Sequence, residues 1–193
     1  ASWRTNPKTS GAAGSMGDIG THAANLAEYI TGLKITEVLA DLTAFVKGRK
    51  LDDDGNVLLH FEKGVKGLLH ASQISVGEEN NLKIWIYGEK KGMWWSQENP
   101  NHLHVINQTG PEEIWKRGNG YVAEKSKAAA RGTRIPSGHP EGFLEAFANN
   151  YANFADTIRA KCAQRKAKPE EMDFPGVAVG VRVSAYGLTS ERV

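Results

Sequence analysis

Two hydrophobic patterns divide the first two thirds of the chain. Apolar residues recur at steps of three and four from Ile19 to Leu33, which predicts an amphipathic helix with Gly32 as its C-terminal cap. Short runs rich in Val, Leu, Thr and Trp follow, separated by turn residues, which predicts strands joined by tight turns. The runs are 37–47, 56–62, 65–75, 82–87, 93–96, 103–107 and 114–116, with turns expected at Asp54-Gly55 and Lys63-Gly64. Successive strands with short turns indicate an antiparallel meander.

The remaining third predicts a long connection, a helix and a tail. Residues 117–137 are expected to form the connection, and Pro140 is placed in the first turn of the helix that follows. An aromatic stripe at helical spacing then predicts a helix of about five turns, along Phe143, Phe147, Tyr151, Phe154 and Ile158. Residues 176–193 are expected to form a strand or a frayed tail. The predicted fold class is α+β, an open, mostly antiparallel β-sheet with helices packed on one face.

Composition excludes several functional classes. The 193 residues include 24 basic and 22 acidic side chains, a net charge of +2, so neither nucleic acid nor another polyanion is expected as a partner. The apolar runs are too short for a membrane span, and no hydrophobic signal core precedes the first helix. The single cysteine, Cys162, cannot form an internal disulfide, which indicates a reducing, cytoplasmic compartment.

The segment around Asp18 and His22 holds the most informative chemistry. The two residues are four apart, so they stack on one helix face, which Leu26 and Ile30 are expected to turn inward. A carboxylate one turn from an imidazole can fix its tautomer and move a proton near neutral pH. Gly17 and Gly20 would leave space for a group to approach the backbone. The spacing equally allows Asp18 to cap the helix and His22 to be a core histidine.

Two further features support weaker interpretations. His102 and His104 share one side of a strand but lack a third ligand, so no metal site is predicted. Trp94 and Trp95 must face opposite sides of the sheet, and Trp85 is nearby. One tryptophan therefore needs cover on the open face, which favours self-association there, as a dimer or higher oligomer. The alternative is a sheet edge covered by the connection of residues 117–137.

The Asp18 segment also resembles a known family. Gly17-Asp18-Ile19-Gly20-Thr21-His22 looks like the G-D-x-G-x-H helix of the glucose–fructose oxidoreductase, inositol dehydrogenase and rhizopine-catabolism (Gfo/Idh/MocA) family. The similarity extends over roughly residues 1 to 160. Further matching segments are Trp3–Pro7, Ala71-Ser72-Gln73, Leu82–Gly92 and the run beginning at Gly138.

The resemblance implies an NAD(P)-dependent dehydrogenase that acts on a sugar or polyol. It makes His22 either the acid/base group or a partner of a substrate hydroxyl, and it makes Asp18 the residue that orients His22 and binds a substrate hydroxyl. It also gives Arg4, Asn6 and His139 substrate contacts. The implied fold is like the C-terminal domains of dihydrodipicolinate reductase and glyceraldehyde-phosphate dehydrogenase. Residues 1–175 would be the substrate-binding and oligomerisation domain, and 176–193 a tail.

The sequence departs from the family by lacking two of its features. The glycine-rich nucleotide fingerprint and the Glu-Lys-Pro segment with its catalytic lysine are both absent from the sequence. The chain therefore resembles the substrate-side half without its Rossmann domain. Alone it is expected to bind no NAD or NADP and to be inactive. A non-catalytic scaffold or dimerisation module using the open sheet is the alternative.

Overall fold

The computed structural model describes residues 3–189, and their side chains as far as residue 186. The elements in chain order are α1 (Pro7–Ser10), α2 (Thr21–Thr31), β1 (Ile35–Thr43), β2 (Asp54–Phe61), β3 (Lys66–Ser72), β4 (Lys83–Tyr87), β5 (Lys91–Ser96), β6 (His102–Asn107), β7 (Glu112–Lys116), α3 (Gly120–Lys125), α4 (Lys127–Gly132), α5 (Phe143–Cys162) and α6 (Val177–Thr189). They divide into two compact units, one of residues up to Glu78 together with those from Gly176 onward, the other of Glu79–Pro175.

The first unit is a three-stranded antiparallel sheet, ordered β1-β2-β3, with helices on one face. Alternate residues of β2 and β3 point into the core because side chains of a strand alternate between its faces. The buried core residues are Met16, Ala24, Val57, Leu59, Phe61, Leu69 and Ala71. Tyr186 of α6 packs against this cluster, so α6 is part of the unit.

An ion pair also holds α6 in the first unit. The Arg182 guanidinium donates to both carboxylate oxygens of Glu28 on α2, with Nε–Oε distances of 2.9 and 2.8 Å, and to the carbonyl of Ile35. Burial alone would raise the pKa of Glu28, but hydrogen bonds from Arg182 and from the Ile35 amide outweigh burial and lower it. Glu28 is therefore ionised and paired at neutral pH.

The second unit contains a four-stranded antiparallel sheet, ordered β4-β5-β6-β7, and the helices α3 to α5. In its register Trp85 lies opposite Trp94, and Trp94 lies opposite His104. Trp95 faces the other side and donates its indole N–H to the Pro100 carbonyl at 3.1 Å. The prediction that Trp94 and Trp95 face opposite sides is confirmed.

The structure confirms the α+β class, the antiparallel meander and all seven strands. The strands form two sheets, since β4 pairs with β5 and not with β3. The segment between the two sheets includes Gly77, which has a positive φ of 94°. The turn predicted at Lys63-Gly64 is also confirmed, with positive φ at both residues. Asp54 and Gly55 instead lie inside β2, so that turn prediction was wrong.

Three predictions about the last third of the chain were also wrong. Residues 117–137 contain two short helices, α3 and α4. The aromatic-stripe helix is confirmed, but it begins at Phe143, so Pro140 precedes it. Residues 177–189 of the predicted tail form the helix α6, and residues 190–193 lie outside the described part of the chain. Valine and glycine in α6 disfavour a helix locally, and the contacts with α2 override that preference. Among the described residues, no helix is both long and apolar enough to cross a membrane.

Candidate functional site

Asp18 lies on a π-helical turn, Met16–Gly20, that leads directly into α2. The start of this turn is capped from a distant loop, because the Asp52 carboxylate accepts from the amides of Gly14 and Met16 at 2.6 and 2.7 Å. Asp52 also accepts from the Ser15 hydroxyl at 2.8 Å. Asp52 therefore satisfies the amides at this helix start, which is the role that the sequence left open for Asp18.

The space beside the two glycines of this turn is occupied by other side chains of the protein. A side chain on Gly20 would overlap the sulfur of Met16, and one on Gly17 would overlap the Ala13 methyl. The prediction that these glycines leave space for another group to approach the backbone was therefore wrong. They allow the helix start to pack closely around the fully buried Met16.

The Asp18 carboxylate meets two side chains from other segments. Its Oδ2 atom accepts from Gln73 Nε2 at 3.2 Å and lies 3.4 Å from Arg4 Nε. Arg4 belongs to a helical turn near the start of the described chain, and Gln73 follows β3. Three segments therefore bring a carboxylate, a guanidinium and an amide together, in a partly exposed position where a ligand can reach them.

His22 is exposed, so the prediction that its helix face turns inward was wrong. The inward face of α2 carries Ala24 and Glu28 instead, while Ile30 is 42% exposed. The small Ala24 lets the helix approach the sheet closely, whereas Tyr29 and Ile30 are exposed. Asp18 and His22 are therefore both accessible from outside the first unit.

Asn6 and His139 make other contacts. The Asn6 side chain caps α1 by accepting from the Lys8 amide at 3.1 Å. His139 is an exposed residue of the second unit, four positions before α5 begins, and its carbonyl accepts from Arg117. The structure thus joins Arg4 with Asp18 and adds Gln73, which the sequence offered only as part of a strand motif.

Two hollows differ greatly in size. Beside Arg4 and Gln73 lies one of about 10 Å³, room for a single water molecule. A groove of about 490 Å³ lies on the β4–β7 sheet, lined by Lys83, Trp85, Trp94, Ser96, Glu98, Asn99, His102 and His104. In that groove Trp94 stacks on His104 at 3.7 Å between ring centroids, and His104 Nδ1 lies 2.8 Å from a Glu112 oxygen. The hollow beside Arg4 and Gln73 is too small to hold a sugar.

The described residues contain neither a parallel strand pair nor a cluster of metal-binding side chains. A Rossmann cradle is built between parallel strands, whereas the described strand pairs are all antiparallel. In the same part of the chain, no group of three or more His, Cys, Asp or Glu side chains is placed to hold a metal.

Comparison with known proteins gives consistent matches. The family described as GFO/IDH/MocA C-terminal domain matches residues 1–93. The uncharacterized oxidoreductase YfiI of Bacillus subtilis (strain 168) is 32% identical over 181 residues, which cover 93% of this chain and 45% of that protein.

Solved structures extend the similarity to most of the chain. An oxidoreductase from Sinorhizobium meliloti is 42% identical with a TM-score of 0.85, over 92% of this chain and 49% of that one. An inositol dehydrogenase homolog from Azotobacter vinelandii, solved with NADH and myo-inositol, is 30% identical with a TM-score of 0.83, over 98% of this chain and 50% of that one. The chain thus spans about half the length of these relatives.

Proposed function

Because this chain carries a C-terminal domain of the Gfo/Idh/MocA oxidoreductase family, we propose that it is the substrate-binding part of an NAD(P)-dependent dehydrogenase acting on a sugar or polyol. The observation that carries the proposal is the orientation of Asp18. Its carboxylate contacts Arg4 and Gln73, which belong to two other segments, and it lies one turn before the exposed His22. Asp18 is free for this role because Asp52 caps the helix. The relative solved with myo-inositol supports the substrate class.

In this proposal the residues of the chain bind the substrate and move its proton. Asp18 accepts a hydrogen bond from a substrate hydroxyl, and Arg4 and Gln73 hold the carboxylate in place. His22 takes the proton of the hydroxyl on the carbon that is oxidised, since a neutral imidazole is a suitable base near pH 7. Asn6 and His139 are proposed as further substrate contacts.

The hydride acceptor, NAD or NADP, is proposed to bind outside the described residues. The rest of the substrate pocket, for which the small hollow at Gln73 has no room, would then be formed by the nucleotide-binding part of the whole protein. The exposure of Asp18 and His22 fits such an arrangement. The 193-residue chain alone is accordingly expected to show no turnover, and we place the protein in the cytoplasm on the evidence of its single cysteine.

The test measures nicotinamide reduction by the full-length protein with a panel of polyols that includes myo-inositol. His22→Ala and Asp18→Asn should each lower kcat/KM by roughly 10²-fold or more, the usual contribution of a positioned acid/base group. Glu79→Gln is the matched control, because Glu79 is an exposed carboxylate of the second unit. Full activity of the His22→Ala enzyme would refute the assigned role.

A second candidate function, self-association, is favoured by the outer face of the β4–β7 sheet. Trp85 is 51% exposed and Tyr87 is 79% exposed on that face, next to the stacked Trp94. An aromatic patch of this kind is typical of an interaction surface. Should the full-length protein bind no nicotinamide by fluorescence titration and still self-associate, the scaffold function would replace the dehydrogenase.

A further inference from the structure

One arginine holds the loop of residues 134–141, which lies between α4 and α5, against the end of β7. Arg117 directly follows β7, and its guanidinium donates to three backbone carbonyls of this loop, those of Ile135 (3.0 Å), Pro136 (3.4 Å) and His139. Its Nε atom donates to Asn101 Oδ1 at 2.8 Å. A planar guanidinium carries five N–H donors in a fixed geometry, so a single side chain can hold several points of the loop at once.

Glu141, the last residue of this loop, is the acidic partner of Arg117. The Glu141 side chain is 5% exposed and that of Arg117 is 17% exposed, with 3.3 Å between Oε2 and Nη1. The other carboxylate oxygen of Glu141 accepts from the amides of Arg134 and Ile135 at 2.7 and 2.8 Å, which joins the two ends of the loop. Desolvation offsets much of the attraction in a buried ion pair, so the main consequence of this one is a fixed loop backbone.

Two further residues of the second unit contact the same loop. Gly118 has a positive φ of 80°, and a Cβ atom there would lie 2.9 Å from the Ser137 amide nitrogen. Asn101 Nδ2 donates to the Glu141 carbonyl at 2.9 Å, and Asn101 Oδ1 accepts from the Glu141 amide at 3.1 Å. The loop backbone is therefore held at several points along its length, although residues 134–140 are all exposed.

A loop with a fixed backbone and exposed side chains is suited to presenting a side chain to a ligand. Exposed irregular segments are usually mobile, whereas binding residues are commonly held on loops that a rigid scaffold positions. His139 is the one histidine of this loop, and its own carbonyl is an acceptor of Arg117. The contact therefore acts on the residue that carries the imidazole.

We propose that Arg117 is a positioning residue, which fixes the 134–141 loop so that the His139 imidazole meets the substrate in one orientation. This inference rests on the proposed function, in which His139 contacts the sugar or polyol. Arg117 acts through His139 and makes no contact with the substrate. A group that is ordered before binding loses less conformational freedom on binding, so Arg117 lowers KM and leaves kcat nearly unchanged.

Steady-state kinetics of the full-length protein test this role, with the polyol of the panel that gives the highest kcat/KM. His139→Ala should raise KM by about three- to tenfold, as expected for one hydrogen bond, with kcat within about twofold of the parent. Arg117→Lys should raise KM over the same range. It keeps a charge beside Glu141, so the fold is preserved, but it lacks the planar fork that reaches several carbonyls. In the double variant KM should be no higher than in His139→Ala alone.

Arg165→Lys is the matched control. Arg165 also donates to both carboxylate oxygens of a glutamate in the second unit, Glu171, and its hydrogen bonds lie outside the 134–141 loop. This variant should therefore leave KM unchanged. Gly118→Ala displaces the loop without altering a charge, because its methyl group would overlap the Ser137 nitrogen. It should raise KM as Arg117→Lys does.

Hydrogen exchange followed by mass spectrometry tests the loop contacts independently of activity. The amides of Ile135 and Glu141 are both hydrogen-bonded. Peptides that cover the loop should exchange about fivefold faster in Arg117→Lys than in the parent, since lost hydrogen bonds lower the free energy of local opening. Arg165→Lys should leave exchange in the loop at the parental rate.

The outcomes separate this role from a purely structural one. A higher KM in Arg117→Lys that is absent when His139 is already alanine, together with faster loop exchange, supports the proposal. Additive effects on KM, an unchanged KM in Arg117→Lys, or unchanged loop exchange each overturn it. A parental KM in an active His139→Ala enzyme also overturns it and leaves the dehydrogenase standing. Absence of turnover by the parent with every polyol refutes the proposed function itself, and this role with it.

Discussion

Gly20→Ala tests whether the glycines of the Asp18 segment serve packing. The backbone at Gly20 is helical, with φ −61° and ψ −32°, so alanine is allowed there and would favour the helix by about 1 kcal/mol. Its Cβ would overlap Met16 Sδ and lie 3.2 Å from Met16 Cγ. Met16 is fully buried and has little room to move, because its Cε already fills the space at Gly55.

The expected result is a net loss of stability. Overpacking a filled core costs typically about 1–3 kcal/mol, so after the helix gain the free energy of unfolding should fall by about 1–2 kcal/mol. Urea denaturation followed by circular dichroism measures this change. The m-value should be the same for the variant and the parent, so that a shift in the midpoint reports a change in stability.

Gly180→Ala is the matched control for the helix term. Gly180 lies within α6, and among the described residues no atom beyond the helix's own backbone and the two chain neighbours of Gly180 lies within 4 Å of the position its Cβ would take. This variant should be more stable by about 0.5–1 kcal/mol. In a Met16→Ala background the Gly20→Ala change should become favourable as well, since the clashing side chain is gone. If Gly20→Ala stabilises the parent protein as much as Gly180→Ala does, the packing explanation is refuted.

Two further predictions concern ion pairs. Arg182→Met should lower the free energy of unfolding by about 1–2 kcal/mol in urea denaturation, because it removes the two-pronged partner of the largely buried Glu28, which keeps only Lys34 and the Ile35 amide. Arg159→Met, at a surface pair, should cost less than about 0.5 kcal/mol. An equal loss in both variants would contradict this. Arg165 donates to both carboxylate oxygens of Glu171 at 2.8 Å and lowers its pKa to about 2 from 4.5. The stabilisation from Glu171 is therefore present above pH 4.5 and is lost as the pH falls towards 2, so the stability advantage of the parent over Glu171→Gln should shrink across that window in acid unfolding. An advantage that is constant across this range would refute the assignment.

Short-range patterns determined much of the fold. The seven strands follow from short β-forming runs between turn signals, and α5 follows from an aromatic stripe at helical spacing. Gly32 ends α2 with φ 68°, as its position after the periodic segment predicted. These features depend on residues close in sequence, whose hydrophobic period and turn chemistry are sufficient to specify them.

The tertiary structure decided what surrounds each of these elements. Asp18 meets Gln73 from 55 residues away, and Asp52 rather than Asp18 caps the helix start, which spacing within one helix cannot reveal. The segment of α6 has weak helix propensity, and its Arg182 is held by Glu28 from 154 residues away. Leu39, Leu58 and Leu68 likewise lie side by side only because of the register between the three strands. Partners distant in sequence are chosen by packing of the whole chain, so only the folded structure identifies them.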